Sequence, residues 1–120
     1  SDDQTLSEDH LYWVSELGRL TELAGALAAR VELAVLELKA LKARTRSRIR
    51  QERSGEKLTA QMVDDDAEND ETVEAAERNL SELRLVSAHV ASAKEATSAY
   101  VAGLSREITL RGDQRRSRTY

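Results

Sequence analysis

The sequence lacks several residue types on which common protein classes depend. It contains no cysteine, which excludes disulfides, thiolate chemistry and zinc sites with sulfur ligands. It contains no proline, so nothing in it forces a break in a long helix. Phenylalanine is absent, and tryptophan and tyrosine are few. A 120-residue chain with so few large apolar side chains predicts a single domain without a thick globular core.

Motifs for membrane insertion, secretion and catalysis are missing as well. No apolar run approaches the ~18 residues of a spanning helix, and no signal-peptide pattern opens the sequence, so we expect neither a membrane protein nor a secreted one. The two histidines, His10 and His89, lie far apart in the sequence, and no HExxH, GxSxG or P-loop motif occurs. The acidic run DDDAENDE lacks the glycine and the ligand spacing of a calcium loop. We expect a protein that is not an enzyme and has no cofactor and no metal site.

The strongest pattern present is a seven-residue apolar repeat in the first half of the chain. Charged residues make up 33% of the sequence, which together with the alanine and leucine content is typical of long helices and coiled coils. The repeat predicts a first helix over about residues 5–53, begun by a capping box from Thr5 to Glu8. The apolar positions alternate in steps of four and three: Trp13, Leu17, Leu20, Ala24, Leu27, Val31, Ala34, Leu38 and Leu41. Such a seam predicts packing against another helix.

A second apolar set widens this stripe, so one helix requires more than one apolar neighbour. Its members are Leu23, Leu33, Leu36, Ala40 and Ala43. Gly18 and Gly25 each cost roughly 1 kcal/mol inside a helix. We interpret them as positions where another helix approaches closely.

The second half of the chain predicts a connector and a second helix. Ser54-Gly55 predicts the end of the first helix, with Gly55 in the left-handed conformation, followed by an acidic connector over about residues 54–71. An apolar patch in this connector, formed by Leu58, Met62 and Val63, allows one helical turn. A second helix is predicted over about residues 72–111, ended by Gly112 and followed by a basic tail at 112–120. Its apolar set is Val73, Ala76, Leu80, Leu83, Val86, Val90, Ala93, Thr97, Tyr100, Leu104 and Ile108.

These elements predict an all-α antiparallel helical hairpin with two long helices and coiled-coil-like seams. Because the apolar stripes are wider than one partner can cover, we expect the hairpin to assemble into a ring-like homo-oligomer. The residues assigned to the oligomer seam are Trp13, Leu17, Leu20, Leu27, Val31, Leu38, Leu41, Leu80, Leu83, Val90, Leu104 and Ile108.

A basic segment, residues 39–57, contrasts with the net charge of −4. Its cations are Lys39, Lys42, Arg44, Arg46, Arg48, Arg50, Arg53 and Lys57. Those at 39, 42, 46, 50, 53 and 57 fall on one face if the helix continues. One interpretation is pairing with the acidic residues at 64–77, within a subunit or between subunits; a second is anionic lipid, for which this helix turn lacks an apolar face. The third is non-specific binding of single-stranded DNA through phosphates, without base stacking, since no aromatic residue lies between Trp13 and Tyr100.

Several short motifs lie in and around the basic segment. Residues 40–44 read ALKAR, and Leu11-Tyr12 lies near the start of the first predicted helix. The first resembles the basic motif of the UvsY-type recombination mediators of T-even-like phages, and the second resembles a pair at the start of that family's first long helix. Ser54-Gly55 and the Lys57-Leu58-Thr59 element occur in the family order. Residues 45–48 replace the aromatic residues that follow the family motif, which favours a purely ionic role for the segment.

The resemblance implies a specific function. Such mediators form rings, bind single-stranded DNA without sequence preference, and help load a RecA-like recombinase onto strands covered by single-strand-binding protein. It implies DNA contact by Lys42 and Arg44; the other cations of the basic segment are our extension. It also implies a hexamer or heptamer in the cytoplasm of an infected host cell. The alternative is a structural coiled-coil or assembly protein whose basic and acidic blocks pair between subunits.

Overall fold

The computed structural model describes residues 2–119 and is all-helical within them. Three helices follow in order: α1 spans Asp3–Glu52, α2 spans Ala60–Glu68 and α3 spans Glu71–Thr119. The predicted all-α class is therefore confirmed. None of the helices in this part of the chain is long and apolar enough to cross a membrane.

Helix α1 begins two residues before the predicted start. The Asp2 carboxylate accepts a 2.7 Å hydrogen bond from the Thr5 amide, which lowers the pKa of Asp2. Asp2 therefore takes the capping role that the sequence assigned to Thr5. Glu8, expected to complete the box, instead accepts a 3.2 Å bond from the Gln4 side chain.

Helix α1 ends at Glu52, which changes the expected basic face. Arg53 and Lys57 lie beyond the helix, so the predicted alignment of cations on one face stops at Arg50. Gly55 does not have a positive φ, and the left-handed conformation expected there does not occur. The Arg53 amide instead closes a last turn on the Ile49 carbonyl at 3.0 Å.

The predicted connector contains a nine-residue helix, α2, which is longer than the single turn that its apolar patch allowed. Thr59 caps it by accepting a 3.1 Å bond from the Met62 amide. Val63 and Ala67, one turn apart, are almost fully buried and form a small core with Ile49 of α1. Burial of one apolar edge thus orders a segment whose other faces are acidic.

Helix α3 runs further than predicted at its C-terminal end. It begins at Glu71, behind an Asp70 cap, and continues through Gly112 to Thr119. Gly112 does not have a positive φ, so the left-handed conformation in which a glycine commonly ends a helix does not occur there. The residues predicted as a basic tail are therefore helical up to Thr119.

The chain divides into two compact units, and each long helix contributes to both. One unit comprises the residues up to Ala26 and from Ala88 onward; the other is Leu27–Ser87. In the first unit, His10 contacts Ser105 and Trp13 contacts Tyr100, so α1 and α3 run antiparallel there. In the second, Lys42 pairs with Glu77 and Arg48 with Asp70, which gives the same direction. The predicted hairpin is confirmed within each unit.

The predicted seam lies inside this hairpin. Every α1 seam position from Trp13 to Leu41 is half-buried, and the row continues into buried Thr45, which bonds the Leu41 carbonyl. On α3 the row deviates twice from the prediction: Val86 and Tyr100 are about half exposed, and their neighbours Ser87 and Val101 are more buried.

Candidate nucleic-acid interface

The basic segment lies in the unit Leu27–Ser87, beside the acidic residues of α2 and the start of α3. Its first six cations are on α1, while Arg53 and Lys57 lie in the loop before α2. Because the hairpin brings residues 64–77 back along this end of α1, the two oppositely charged blocks meet within one chain.

Lys42 is the most closely held cation of the segment. Its Nζ lies 2.9 Å from carboxylate oxygens of both Glu68 and Glu77, and its side chain is only 25% exposed. Glu77 and Glu68 raise the pKa of the Lys42 ammonium, and Lys42 in turn lowers the pKa of Glu68.

Three arginines of the segment also pair with the acidic block. Arg48 donates a 2.7 Å hydrogen bond to Asp70 and lies 3.7 Å from Glu52. Arg46 lies 3.8 Å from Asp64. Arg53 bonds Glu56 at 2.7 Å and also contacts Asp66. These pairs are partly exposed, and such pairs contribute only ~0.2–1 kcal/mol each.

The other four cations, all exposed, have no carboxylate within 4 Å among residues 2–119. They are Lys39, Arg44, Arg50 and Lys57. Arg44, one of the two residues singled out by the family resemblance, is thus open to solvent, whereas the other, Lys42, is engaged by carboxylates.

A groove of about 550 Å³ between α1 and α3 gathers part of the basic segment. Lys39, Lys42 and Arg46 line it from α1, and Arg84 lines it from α3. Glu77 is the one carboxylate in this lining, so cations predominate in the groove.

Arg84 was not among the residues predicted for DNA contact. It lies far from the basic segment in sequence and belongs to no basic run. The antiparallel register is the signal that identifies it: with Lys42 against Glu77, residue 84 falls two turns further along α3, opposite residue 35.

No aromatic side chain lines the groove. In the other unit, Trp13 packs edge-on against Tyr100 and Tyr12, with ring centroids 5.4 Å and 5.1 Å apart. The groove therefore presents cations without an aromatic side chain on which a base could stack.

The residues predicted for the oligomer seam are half-buried or buried within the chain. Leu38 and Leu80, for example, line the same groove, and Leu80 is 7% exposed. Contact between α1 and α3 therefore already covers the face that the sequence assigned to contacts between copies.

A histidine and a serine meet in the other unit. His10 Nε2 lies 2.8 Å from Ser105 Oγ, and both residues lie within helices, where the backbone amides are engaged in helical hydrogen bonds. Within residues 2–119 no carboxylate is hydrogen-bonded to this imidazole, and no set of side chains suited to a metal ion occurs. We interpret the contact as helix packing.

No family model, curated protein or solved structure matches the chain. The resemblance to the phage mediators therefore stays a prediction, and the groove and its charges are the basis for the functional argument.

Proposed function

We propose that this protein is a recombination mediator that binds single-stranded DNA non-specifically through the basic segment. The observation that supports this best is the groove in which Lys39, Lys42, Arg46 and Arg84 stand against one carboxylate. Cations spaced along a groove, without aromatic neighbours, suit a phosphate backbone and not bases.

Entry of DNA requires displacement of the acidic residues that hold Lys42 and Arg46. The exposed ion pairs are individually weak, and a polyanion presents many charges at once, so exchange is energetically feasible. Lys39, Arg44, Arg50 and Lys57, which have no carboxylate partner among the described residues, provide the first attachment.

Copies of the chain assemble into a closed homo-oligomer in this proposal. One groove contacts few phosphates, but linked grooves on one strand raise the effective affinity through avidity. Loading of a RecA-like recombinase onto strands covered by single-strand-binding protein follows from the family resemblance. It is tested by recombinase ATPase activity on such strands with and without this protein.

The DNA-binding test is fluorescence anisotropy of labelled oligo-dT over a range of salt concentrations. For about five or six neutralised phosphates, at ~0.7 per phosphate, log affinity falls against log salt with a slope of about −4. Lys39→Ala with Arg84→Ala removes two groove cations and is expected to weaken binding and flatten the slope by about 1 to 1.5. Arg19→Ala with Arg106→Ala removes two exposed cations of the other unit and is the matched control. Absence of binding in dilute buffer, or equal loss in both double variants, would contradict the proposal.

A second candidate function is a structural assembly protein that does not bind DNA. It is favoured by one observation: Lys42, Arg46, Arg48 and Arg53 already have carboxylate partners. If the protein is such an assembly protein, Lys42→Ala lowers the thermal midpoint of unfolding or the oligomer mass, and oligo-dT binds neither the wild type nor the variant. If the protein is a DNA-binding mediator, the Lys42→Ala variant binds oligo-dT more weakly than the wild type and keeps its oligomer mass and helicity.

A further inference from the structure

Helix α1 carries a second apolar stripe on the face turned away from α3. Its positions step by four and three, and at 3.6 residues per turn they lie about 180° from the buried seam. The stripe consists of Ala29, Leu33, Leu36, Ala40 and Ala43, all exposed. Its leucines are markedly so: Leu33 is 56% and Leu36 is 64% exposed. Most of this set was predicted to widen the seam stripe, whereas it forms a separate face of α1.

Charged residues flank this stripe in a regular order. Arg30 and Glu37 lie along one edge, and Glu32 and Lys39 along the other. All four are exposed, and none forms an ion pair among the described residues. Other charges of the same unit, such as Lys42, Arg46 and Arg48, are paired within the chain.

We propose that a second copy of this chain docks on this stripe, with its α1 antiparallel to the first. In the register that places Leu33 of one copy against Leu36 of the other, Ala29 meets Ala40, and small residues at these layers let the helices approach closely. The same register places Arg30 opposite Glu37 of the second copy, and Glu32 opposite Lys39. Two-fold symmetry repeats each contact, so every one of these charges gains an opposite partner.

The alternative pairings are repulsive. In a parallel pair, Glu32 faces Glu37 of the second copy, and Lys39 faces Arg44. If the antiparallel register shifts by one heptad in one direction, Glu37 faces Glu37 of the second copy. If it shifts in the other direction, Arg30 faces Arg30 of the second copy. The charges therefore specify both the direction and the register of the pair.

This two-fold contact deepens the self-association part of the proposed function and does not depend on DNA binding. It is isologous, so it produces a dimer or a larger assembly with an even number of chains, such as a hexamer, and not a heptamer. It engages Lys39 with Glu32 of the second copy and leaves Arg44, Arg50 and Lys57 outside the paired stripe, so in the assembled protein the first attachment of DNA falls to these three.

The first test is the mass of the full chain by light scattering coupled to gel filtration. We expect an even multiple of 13.4 kDa. Leu36→Asp places a charge in the stripe and is expected to reduce the mass at least twofold while helicity stays unchanged, because the position is exposed. Leu85→Asp, at a site on α3 that is 76% exposed, is the matched control and keeps the wild-type mass. A wild-type monomer, or loss of mass in the control alone, would overturn the proposal.

The second test exchanges charges across the contact. Glu37→Arg turns two attractive pairs into repulsive ones and is expected to weaken dimerisation about tenfold. Adding Arg30→Glu to it restores complementarity and is expected to recover most of the affinity. Equal affinity of wild type and Glu37→Arg, or no recovery in the double variant, would refute the assigned register.

The third test uses the absence of native cysteine. Leu33→Cys and Leu36→Cys chains, mixed and oxidised, should form mainly the mixed disulfide, since the antiparallel register brings these positions within about the 7 Å Cα separation that a disulfide allows. Disulfides mainly between two Leu36→Cys chains would indicate a parallel pair and overturn the proposal.

An oligo-dT titration of the monomeric Leu36→Asp variant distinguishes failure of the dimer proposal from failure of the DNA-binding proposal. If the monomer binds DNA, the DNA-binding proposal stands whatever disulfides form.

Discussion

Arg48 of α1 donates a 2.7 Å hydrogen bond to Oδ2 of Asp70, the residue that precedes α3. The other oxygen of this carboxylate, Oδ1, accepts from the amides of Thr72 and Val73 at 2.9 Å and 3.2 Å. One side chain thus caps α3 and ties its first turn to α1. Val73, held by this cap, has no exposed surface.

Replacement of Asp70 separates its two roles. Asp70→Ala removes the cap and the partner of Arg48, and we expect the free energy of unfolding to fall by about 1–2 kcal/mol. Asp70→Asn keeps an oxygen that can accept from the two amides, so its free energy of unfolding is expected to fall less than that of Asp70→Ala. Asp65→Ala, at an exposed site of α2, is the control and should cost only a few tenths of a kcal/mol. Urea unfolding followed by circular dichroism measures all three, and an Asp70→Ala loss no larger than that of the control would contradict the dual role.

The carboxylate of Asp70 also makes the free energy of unfolding depend on pH. Arg48 and the amides of Val73 and Thr72 lower the pKa of Asp70 below its ordinary 3.8, and Lys42 lowers the pKa of Glu68 below 4.5. A carboxyl whose folded-state pKa is lowered stabilises the fold above its ordinary pKa, and that contribution is lost as the pH falls through the folded-state value. We therefore expect stability to be constant near neutral pH and to fall below about pH 4.5.

Asp70→Asn tests this origin, because it removes one of the titrating groups. Its unfolding free energy should vary less between neutral and acidic pH than that of the wild type. Parallel curves for the two proteins would show that Asp70 does not contribute to the acid sensitivity.

The seam and the hairpin were predictable because half-buried positions that recur at helical spacing produce a periodic pattern of apolar residues in the sequence. The apolar pattern is less complete on α3, where the half-buried seam position 87 is occupied by a polar residue, Ser87. The full length of helix α2 was not predictable beyond a single turn, since only Val63 and Ala67 are buried in it and their partner, Ile49, is distant in the chain. Arg84 likewise enters the groove through the register of the hairpin, which local motifs do not report.

The small core under α2 gives a direct prediction of stability. Val63 is 1% exposed and its neighbour Met62 is 42% exposed. Val63→Ala removes buried methyl groups and is expected to cost about 2 kcal/mol. Met62→Ala removes more atoms but from an open surface, so its cost should stay below about 0.5 kcal/mol. Equal losses in thermal or urea unfolding would show that α2 is not held by this core.

Gly25 gives a prediction of opposite sign. It is exposed in the interior of α1, and an added Cβ meets no atom within 4 Å. Gly25→Ala should therefore stabilise the chain by about 1 kcal/mol through helix propensity and a less flexible unfolded state. The sequence interpretation, in which this glycine admits another helix, predicts the reverse for an oligomer. Thermal unfolding at several protein concentrations distinguishes the two, because loss of an intermolecular contact makes the effect depend on concentration.

If the chain binds DNA as proposed, the carboxylate of Glu77 competes with the phosphates of the strand for Lys42. It lies 2.9 Å from Lys42 and lines the groove, so neutralising it frees a cation and removes a negative charge from the path of the strand. Since an exposed pair contributes ~0.2–1 kcal/mol, Glu77→Gln is expected to raise oligo-dT affinity about two- to fivefold at low salt. Glu95→Gln makes the same change of net charge at an exposed site of the other unit and should leave affinity nearly unchanged. Equal gains in both variants would mean that total charge, and not the groove, governs binding; no gain in either would mean that Glu77 does not compete with DNA for Lys42.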